Sequence, residues 1–296
     1  MASHSQLSGS SVTENISTAI TNYYDHTWFD YQFLWLNDDN LAFHFGYYDE
    51  NVRNHSEALI NANRVLAERA GVKAGDHVLD AGCGLGGSSL WLAEHRGARV
   101  TGITLVDSQV ASARRIAVQR QLNHQVTFVK ADYTATLFPD ASFDVVWAQE
   151  SLCHAPDKAA FYREVSRLLR PGGRLIIAEY MRVSRLLDNS GEQLLRDWCA
   201  GWSMPDLDTP DEHLDHAQQA GLAAAIVDDA TALARPSLYR LYNLARLTFP
   251  FAVVLRWIGA RSAIQHGNTV AALLQYRALE SGLWLYGILS ASKPRD

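Results

Sequence analysis

Residues able to do chemistry gather at three places in this chain. The first is Asp80, which follows the apolar pair Val78-Leu79 and opens the run Asp80-Ala81-Gly82-Cys83-Gly84-Leu85-Gly86-Gly87. A strand ending in an acid, then spaced glycines, then a helix-like stretch (Ser88 to Glu94) sets bare backbone and a helix N-terminus against a ligand. The second is Glu150 with His154, four residues apart after an apolar run; the third is Glu179, at the end of another. Histidine titrates near neutrality and suits reversible proton transfer. A glutamate in an apolar setting can accept a proton or face a developing positive charge. Each group also has a plainer role: a structural strand–helix turn, a loop fixed by the hydrogen bonds of His154, a pocket merely shaped by Glu150.

The type of ligand follows from what surrounds the glycines. Gly82 to Gly87 satisfies the GxGxxG pattern of dinucleotide sites, but those sites place an acid roughly 20 residues further on. Here the next strand ends Gly102-Ile103-Thr104-Leu105, with Thr104 in that place. Asp80 would repel a pyrophosphate and meet an ammonium group instead.

These residues must be positioned by alternating strands and helices. The strand candidates are His77 to Asp80, Arg99 to Thr104, Val126 to Lys130, Phe143 to Ala148 and Arg174 to Glu179. Helical spacing marks Ser88 to Glu94, Ser108 to Arg120 and Lys158 to Leu169, the last ended by Pro171-Gly172-Gly173. Such alternation predicts a parallel sheet covered on both faces. Thr209, Pro210 and Glu212 announce a capped helix. A strand near Ala223 to Asp228 follows, then one or two apolar helices over Leu233 to Ala260, a helix over Asn268 to Ser281 and a strand over Leu283 to Ser292.

Two regions break the rhythm. Val12 to Asn54 is rich in aromatics (Tyr23, Tyr24, Trp28, then His44-Phe45-Gly46-Tyr47-Tyr48) and reads as a helical cap. Met181 to Asp208 reads as an irregular insertion carrying Trp198, Trp202 and Met204. Both suit a lid over the sheet ends where ligands bind.

Several of these segments resemble class I S-adenosylmethionine (SAM)-dependent methyltransferases. Asp80 to Gly87 looks like their motif I. Gly102-Ile103-Thr104 with Gln109 is similar to the second-strand signature of the sterol, tocopherol and cyclopropane-lipid subgroup, and Lys130-Ala131-Asp132-Tyr133 to the third-strand motif. Leu168 to Gly173 matches the turn before the fifth strand. Glu150-Ser151-Leu152-Cys153-His154-Ala155-Pro156 closely resembles a segment of sterol C-methyltransferases. The match runs from about Phe43 to Glu179, roughly half of the chain.

The resemblance implies an α/β fold: a Rossmann-like, doubly wound, seven-stranded sheet whose last strand is antiparallel, with a helical lid. It divides the chain into a disordered tail (1–11), a helical cap (12–55) and a SAM-binding domain (56–296) with lid insertions at about 181–208 and 232–267. SAM is the implied cofactor and S-adenosylhomocysteine the product. The implied cofactor contacts are Asp80, Gly82, Cys83, Gly84, Thr104, Leu105, Gln109, Asp132, Tyr133, Gln149 and Tyr47. The candidate catalytic residues are His154, Glu150, Glu179, Tyr23 and Tyr24, the tyrosines because aromatic faces attract cations. The expected reaction is methyl transfer to a carbon of a bulky apolar small molecule, an isoprenoid or prenylated metabolite, with ring closure as a conceivable sequel. O-methylation of a phenol or sugar hydroxyl, and SAM binding without catalysis, stay open.

Bulk properties bound the remaining classes. A chain of 296 residues can build one domain with elaborations. Its net charge of −6 and lack of a long basic run argue against a nucleic-acid partner. Eight Trp and twelve Tyr suit an aromatic-lined pocket. Cys83, Cys153 and Cys199, without a CxxC pair, fit reduced thiols and a cytoplasmic location. Met1 to Ser11 has no signal-peptide pattern. The longest apolar stretches fall short of the about 20 residues that span a bilayer. A homo-oligomer remains open, since the aromatic N-terminal segment could reach a neighbour's site. No metal site is expected: His213 and His216 lack the spacing of a zinc helix and read as a solvated face. Arg240, Arg246, Arg256 and Arg261 read as a solvated face or as ligands for a diphosphate.

Overall fold

The computed structural model describes residues 18, 21–23, 26–27 and 41–295. Its elements run α1 (His55–Arg69), β1 (His77–Ala81), α2 (Gly87–Arg96), β2 (Arg99–Thr104), α3 (Asp107–Gln119), β3 (Val126–Lys130), β4 (Phe143–Gln149), a 3₁₀ turn (Leu152–His154), α4 (Lys158–Leu168), β5 (Leu169–Arg182), α5 (Asn189–Gly201), α6 (Pro210–Gln219), β6 (Ala223–Asp229), α7 (Thr231–Trp257), α8 (Ala263–Glu280) and β7 (Trp284–Ser292).

The strands form one seven-stranded sheet in the order β3-β2-β1-β4-β5-β7-β6. β1 to β5 pair in parallel, and β7 runs antiparallel to both β5 and β6. Parallel strands buried on both faces read as near-continuous apolar runs, and successive side chains take opposite sides. One face buries Val78, Val145, Trp147, Ile176 and Tyr180 with the lid aromatics; the other buries Leu79, Val146, Ile177 and Met181 against α4. The strand order reverses between β1 and β4, so the crevice beyond their carboxyl ends is the natural ligand site of such a sheet.

The expected sheet and its antiparallel last strand are present, and α6 carries the anticipated capping box of Thr209 and Glu212. Four differences are informative. Met181 to Asp208 is not irregular: it contains α5, whose stripe of Leu195, Trp198 and Cys199 is buried and whose start is capped by Asp188. Of the one or two helices expected over Leu233 to Ala260 there is one, α7, and the departure is that it keeps Pro236 and Pro250 inside it, both on its exposed side. Pro171-Gly172-Gly173 does not precede β5 but bulges within it: Leu169 still pairs with Phe143, and the register shifts before Arg174 meets Val145. β5 then extends past Glu179 to Arg182.

The fourth difference concerns the cap. Residues 41–54 form no helix. They lie along α1 because Gly46 permits it, a Cβ there standing 2.6 Å from that of Ala58. Gly46 N donates to Ser237 Oγ and Tyr48 N to Leu233 O, which ties the segment to α7. Thr18, Thr21 to Tyr23 and His26 to Thr27 are helical. Tyr24, Trp28 and the tail 1–11 lie outside the described residues.

Candidate active site

The strand ends build a cleft lined by Asp80, Gly82, Cys83, Gly84, Thr104, Leu105, Gln109, Tyr133, Gln149, Glu150 and His154, with about 810 Å³ of empty space, open solvent included. Gly82 N and Cys83 N both donate to Ile103 O at 2.9 Å, which pins the glycine turn to β2. Gly82 (φ +90°) is required twice over: its conformation is left-handed, and a Cβ would stand 2.3 Å from that of Ser151. A Cβ on Gly86 would overlap the Phe128 ring. Ser151 in turn donates to Ala81 O at 2.6 Å and accepts at its carbonyl from Tyr133 Oη at 2.9 Å, so the loop after β4 is locked to the loop after β1.

The cleft has the donors and acceptors that SAM needs. Asp80 accepts from Ser89 Oγ at 2.5 Å, and burial pushes its acid up to about 6, so a cationic neighbour would favour its ionised form. Gln149 Nε2 and His44 Nε2 are buried without a hydrogen-bond partner among the described residues, and both side chains line the cleft. Buried polar groups are normally satisfied, so a polar ligand is the fitting partner. Thr104 Oγ1 and Gln109 Oε1 are joined at 2.7 Å on the rim. Two expected contacts lie elsewhere. Tyr47 is not in the lining; its carbonyl takes the Asn61 side chain at 2.9 Å. Asp132 is flanked by the lining residues Ala131 and Tyr133, but one of its oxygens is held by Thr134.

A second compartment, with about 920 Å³ of empty space, adjoins the first. Its wall includes Phe45, Tyr180, Trp202, Met204, Leu244 and Ala245, with Tyr23, Thr248, Asn268 and Thr269 as polar points. Tyr23 Oη donates to Asn268 Oδ1 at 2.8 Å. Phe43, Glu150 and His154 line both compartments and form the partition between them.

Glu150 is the first residue beyond β4 and takes a left-handed φ of +50°, uncommon for a non-glycine residue. Its carboxyl accepts from Phe45 N at 2.6 Å, from Tyr286 Oη at 2.8 Å and from Tyr180 Oη. Tyr180 and Tyr286 are direct register partners on β5 and β7. Burial outweighs these donors and pushes the Glu150 acid up to about 8. His154 Nδ1 lies 3.3 Å from Ser203 O. A carbonyl only accepts, so Nδ1 carries the proton and Nε2 is the basic nitrogen. Burial lowers its pKa to about 4, which keeps the ring neutral.

Glu179 is placed differently from the expectation. Fully buried, it lines neither compartment and accepts from Cys153 N and Tyr180 N, each at 2.9 Å. Adjacent strand residues face opposite sides. It is therefore Tyr180, one residue on, that faces the chamber. That alternation was a usable signal, whereas nothing local marks Tyr286, 136 residues from Glu150. Ser88, which lines the cleft and donates to Gln149 Oε1 at 3.1 Å, and Ser151 were also missed.

The solvated-face reading of His213 is corrected. It is fully buried and bonded at 2.9 Å to Tyr162 Oη, because α6 packs on α4. His216 bonds to Asp208 at 3.1 Å. Among the described residues no group of His, Cys, Asp and Glu is arranged to hold a metal ion. All three cysteines are buried thiols outside any disulfide.

Comparison with known proteins agrees with this geometry. A family model described as a methyltransferase domain matches residues 79–177. The chain is 35% identical to 27-O-demethylrifamycin SV methyltransferase of Amycolatopsis mediterranei, over 69% of this chain and 73% of that protein. It is 30% identical to the chloroplastic tocopherol O-methyltransferase of Arabidopsis thaliana, over 95% and 84%. Fungal sterol 24-C-methyltransferases are also relatives, the chain covering less than half of their length. The solved structure of the [4+2]-cyclase SpnF superimposes with a TM-score of 0.77 at 26% identity, covering 95% of this chain and 97% of that one. A glycine turn that meets a strand-end acid, a partition facing two compartments and relatives matched along most of their length lead to one conclusion: the chain belongs to the class I SAM-dependent methyltransferases.

Proposed function

We propose that this methyltransferase alkylates a carbon of an apolar small molecule bearing an isoprenoid or prenyl group. The observation that carries the reading is the place of Glu150, a carboxyl on the wall common to the cofactor cleft and a chamber built of aromatic and aliphatic side chains. Bound SAM supplies an electrophilic methyl group on a sulfonium and leaves as S-adenosylhomocysteine. The chain's own residues do the rest. The chamber holds the acceptor carbon at the partition and excludes water, which is where much of such a rate arises. Attack by an alkene π pair leaves a cation on the substrate. The rings of Phe45, Tyr180 and Trp202 face that charge, each worth about 2 kcal/mol when desolvated. Glu150, held by three donors, balances it and accepts the proton whose loss restores an alkene.

O-methylation is the second reading. It is favoured by neutral His154, whose proton on Nδ1 leaves Nε2 as a base on the same partition, and by relatives named for oxygen acceptors. Methyl-labelled SAM offered with a prenol, a prenyl diphosphate and a prenylated phenol separates the readings. NMR of the product places the label on carbon under the first reading. A label on oxygen overturns it, and SAM binding without turnover of any of them points to a non-catalytic role.

A further inference from the structure

α7 is apolar on two sides. Leu241, Leu244, Ala245 and Thr248 line the chamber. From Arg246 onward the other side is bare. Leu247 is 74% exposed, Phe251 66% and Trp257 87%, with Val254 and Ile258 also exposed. Leu247, Phe251, Val254 and Ile258 are spaced i, i+4, i+7 and i+11, one stripe of a helix, and Trp257 lies beside it. Scattered exposed apolar residues are ordinary; a contiguous stripe marks an interaction surface.

Charge identifies the partner. From residue 230 to residue 279 the chain has six arginines and neither aspartate nor glutamate, although its net charge is −6. Arg240, Arg246 and Arg256 are exposed on this same helix. A stripe of Leu, Phe, Trp and Ile on a helix that also exposes arginines has the make-up of a helix that lies in a lipid interface, its rings among the acyl chains and its cations reaching toward anionic headgroups. A second copy of this chain would bring like charges together on such a surface. Among the described residues no helix is long and apolar enough to cross a membrane, so the helix would lie on the bilayer rather than span it.

We propose that the second half of α7 with its C-cap residue, Arg246 to Ile258, docks the enzyme on the surface of a bilayer containing anionic phospholipid. The helix that walls the chamber then rests on the phase in which an apolar acceptor dissolves. This goes beyond the reaction, and its test needs no turnover. The full chain is sedimented with vesicles of phosphatidylcholine alone and of phosphatidylcholine with 30% phosphatidylglycerol. Binding to the second is expected to be stronger by roughly tenfold or more and to weaken with salt. Arg246→Gln with Arg256→Gln should reduce it roughly thirtyfold. Leu247→Ser with Phe251→Ser and Trp257→Ser should abolish it while leaving SAM affinity, read by calorimetry, unchanged. Equal binding to both vesicles, undiminished binding by the serine variant, or no vesicle binding together with a dimer that the serine variant dissolves would each overturn the proposal, the last by making the stripe a self-association surface.

Discussion

Glu150 holds three donors and still keeps a raised pKa, because burial costs the charged form more than those bonds return. In the free protein at neutral pH it therefore carries a proton, and a cation in the adjoining cleft favours releasing it. Asp80, pushed up to about 6, obeys the same rule in a lower window. SAM affinity should accordingly rise as pH increases toward 8 and level off above it. In Glu150→Gln the rise should stop near 6. Calorimetry in buffers of differing ionisation heat checks this, since wild type should release protons on binding near pH 7 and the variant almost none. The same variant should lower kcat by roughly 10²- to 10⁴-fold on a carbon acceptor. His154→Ala is the complement. Near-complete loss on a hydroxyl acceptor would favour oxygen chemistry, while misdirected alkene by-products would favour a cation next to Glu150. At this scale the sequence was legible where a residue reaches the cleft from its own strand end or the turn after it: Asp80, Gly82, Gly84, Thr104, Gln109, Gln149 and Tyr133 all line the cleft or its rim. It was not legible for Tyr286, whose role exists only because β7 pairs with β5.

Among the elements, the connection after β4 matters most. It carries Glu150 to His154 and continues into α4, whose Lys158 is buried. Lys158 Nζ donates to Asp206 O at 2.9 Å and to Ala155 O at 3.4 Å. One ammonium thus fastens the catalytic-loop candidate to the segment that places Trp202 and Met204 in the chamber wall. Lys158→Met should loosen that wall and leave the glycine turn untouched, so KM for the apolar acceptor should rise while the Kd of SAM stays put. Lys158 Nζ also lies 3.7 Å from the Asp208 carboxylate, and removing one partner of a buried ion pair costs about 3–5 kcal/mol, visible as a lower Tm. At the glycine turn the expected result is reversed. Gly82→Ala adds a methyl within 2.3 Å of the Ser151 Cβ. Overpacking of this kind costs about 1–3 kcal/mol, and SAM binding should be lost with it. The sheet elements were readable because apolar runs punctuated by glycine repeat down the chain. The segment holding α5 was misread because Asp188, Asn189, Ser190 and Gly191 look like a loop, yet Asp188 serves as the cap that starts the helix.

Across the whole molecule, three buried acids share one sign. Glu150, Glu179 and Asp80 are pushed by burial up to about 8, 7 and 6. Each binds its proton more tightly folded than unfolded. The stability this confers is complete below the ordinary carboxyl range of about 4 and is lost as pH rises through 6 to 8. The Tm of the free protein should therefore fall between about pH 5 and pH 8.5, and SAM should raise it more at the alkaline end. A thermal-shift series with and without SAM checks both; a Tm that climbs with pH would contradict the burial of these groups. The cross-strand pair Tyr180 and Tyr286 adds a last point. Because sheet register, with one further donor from the cap at Phe45, sets where the Glu150 carboxyl stands, the rest of the chamber is separable from the acid it serves. Replacing α5, the Trp202–Met204 stretch or the inner side of α7 should retune which molecules are accepted while the carboxyl keeps its address, much as a workpiece is changed in a vice whose jaws are bolted to the bench.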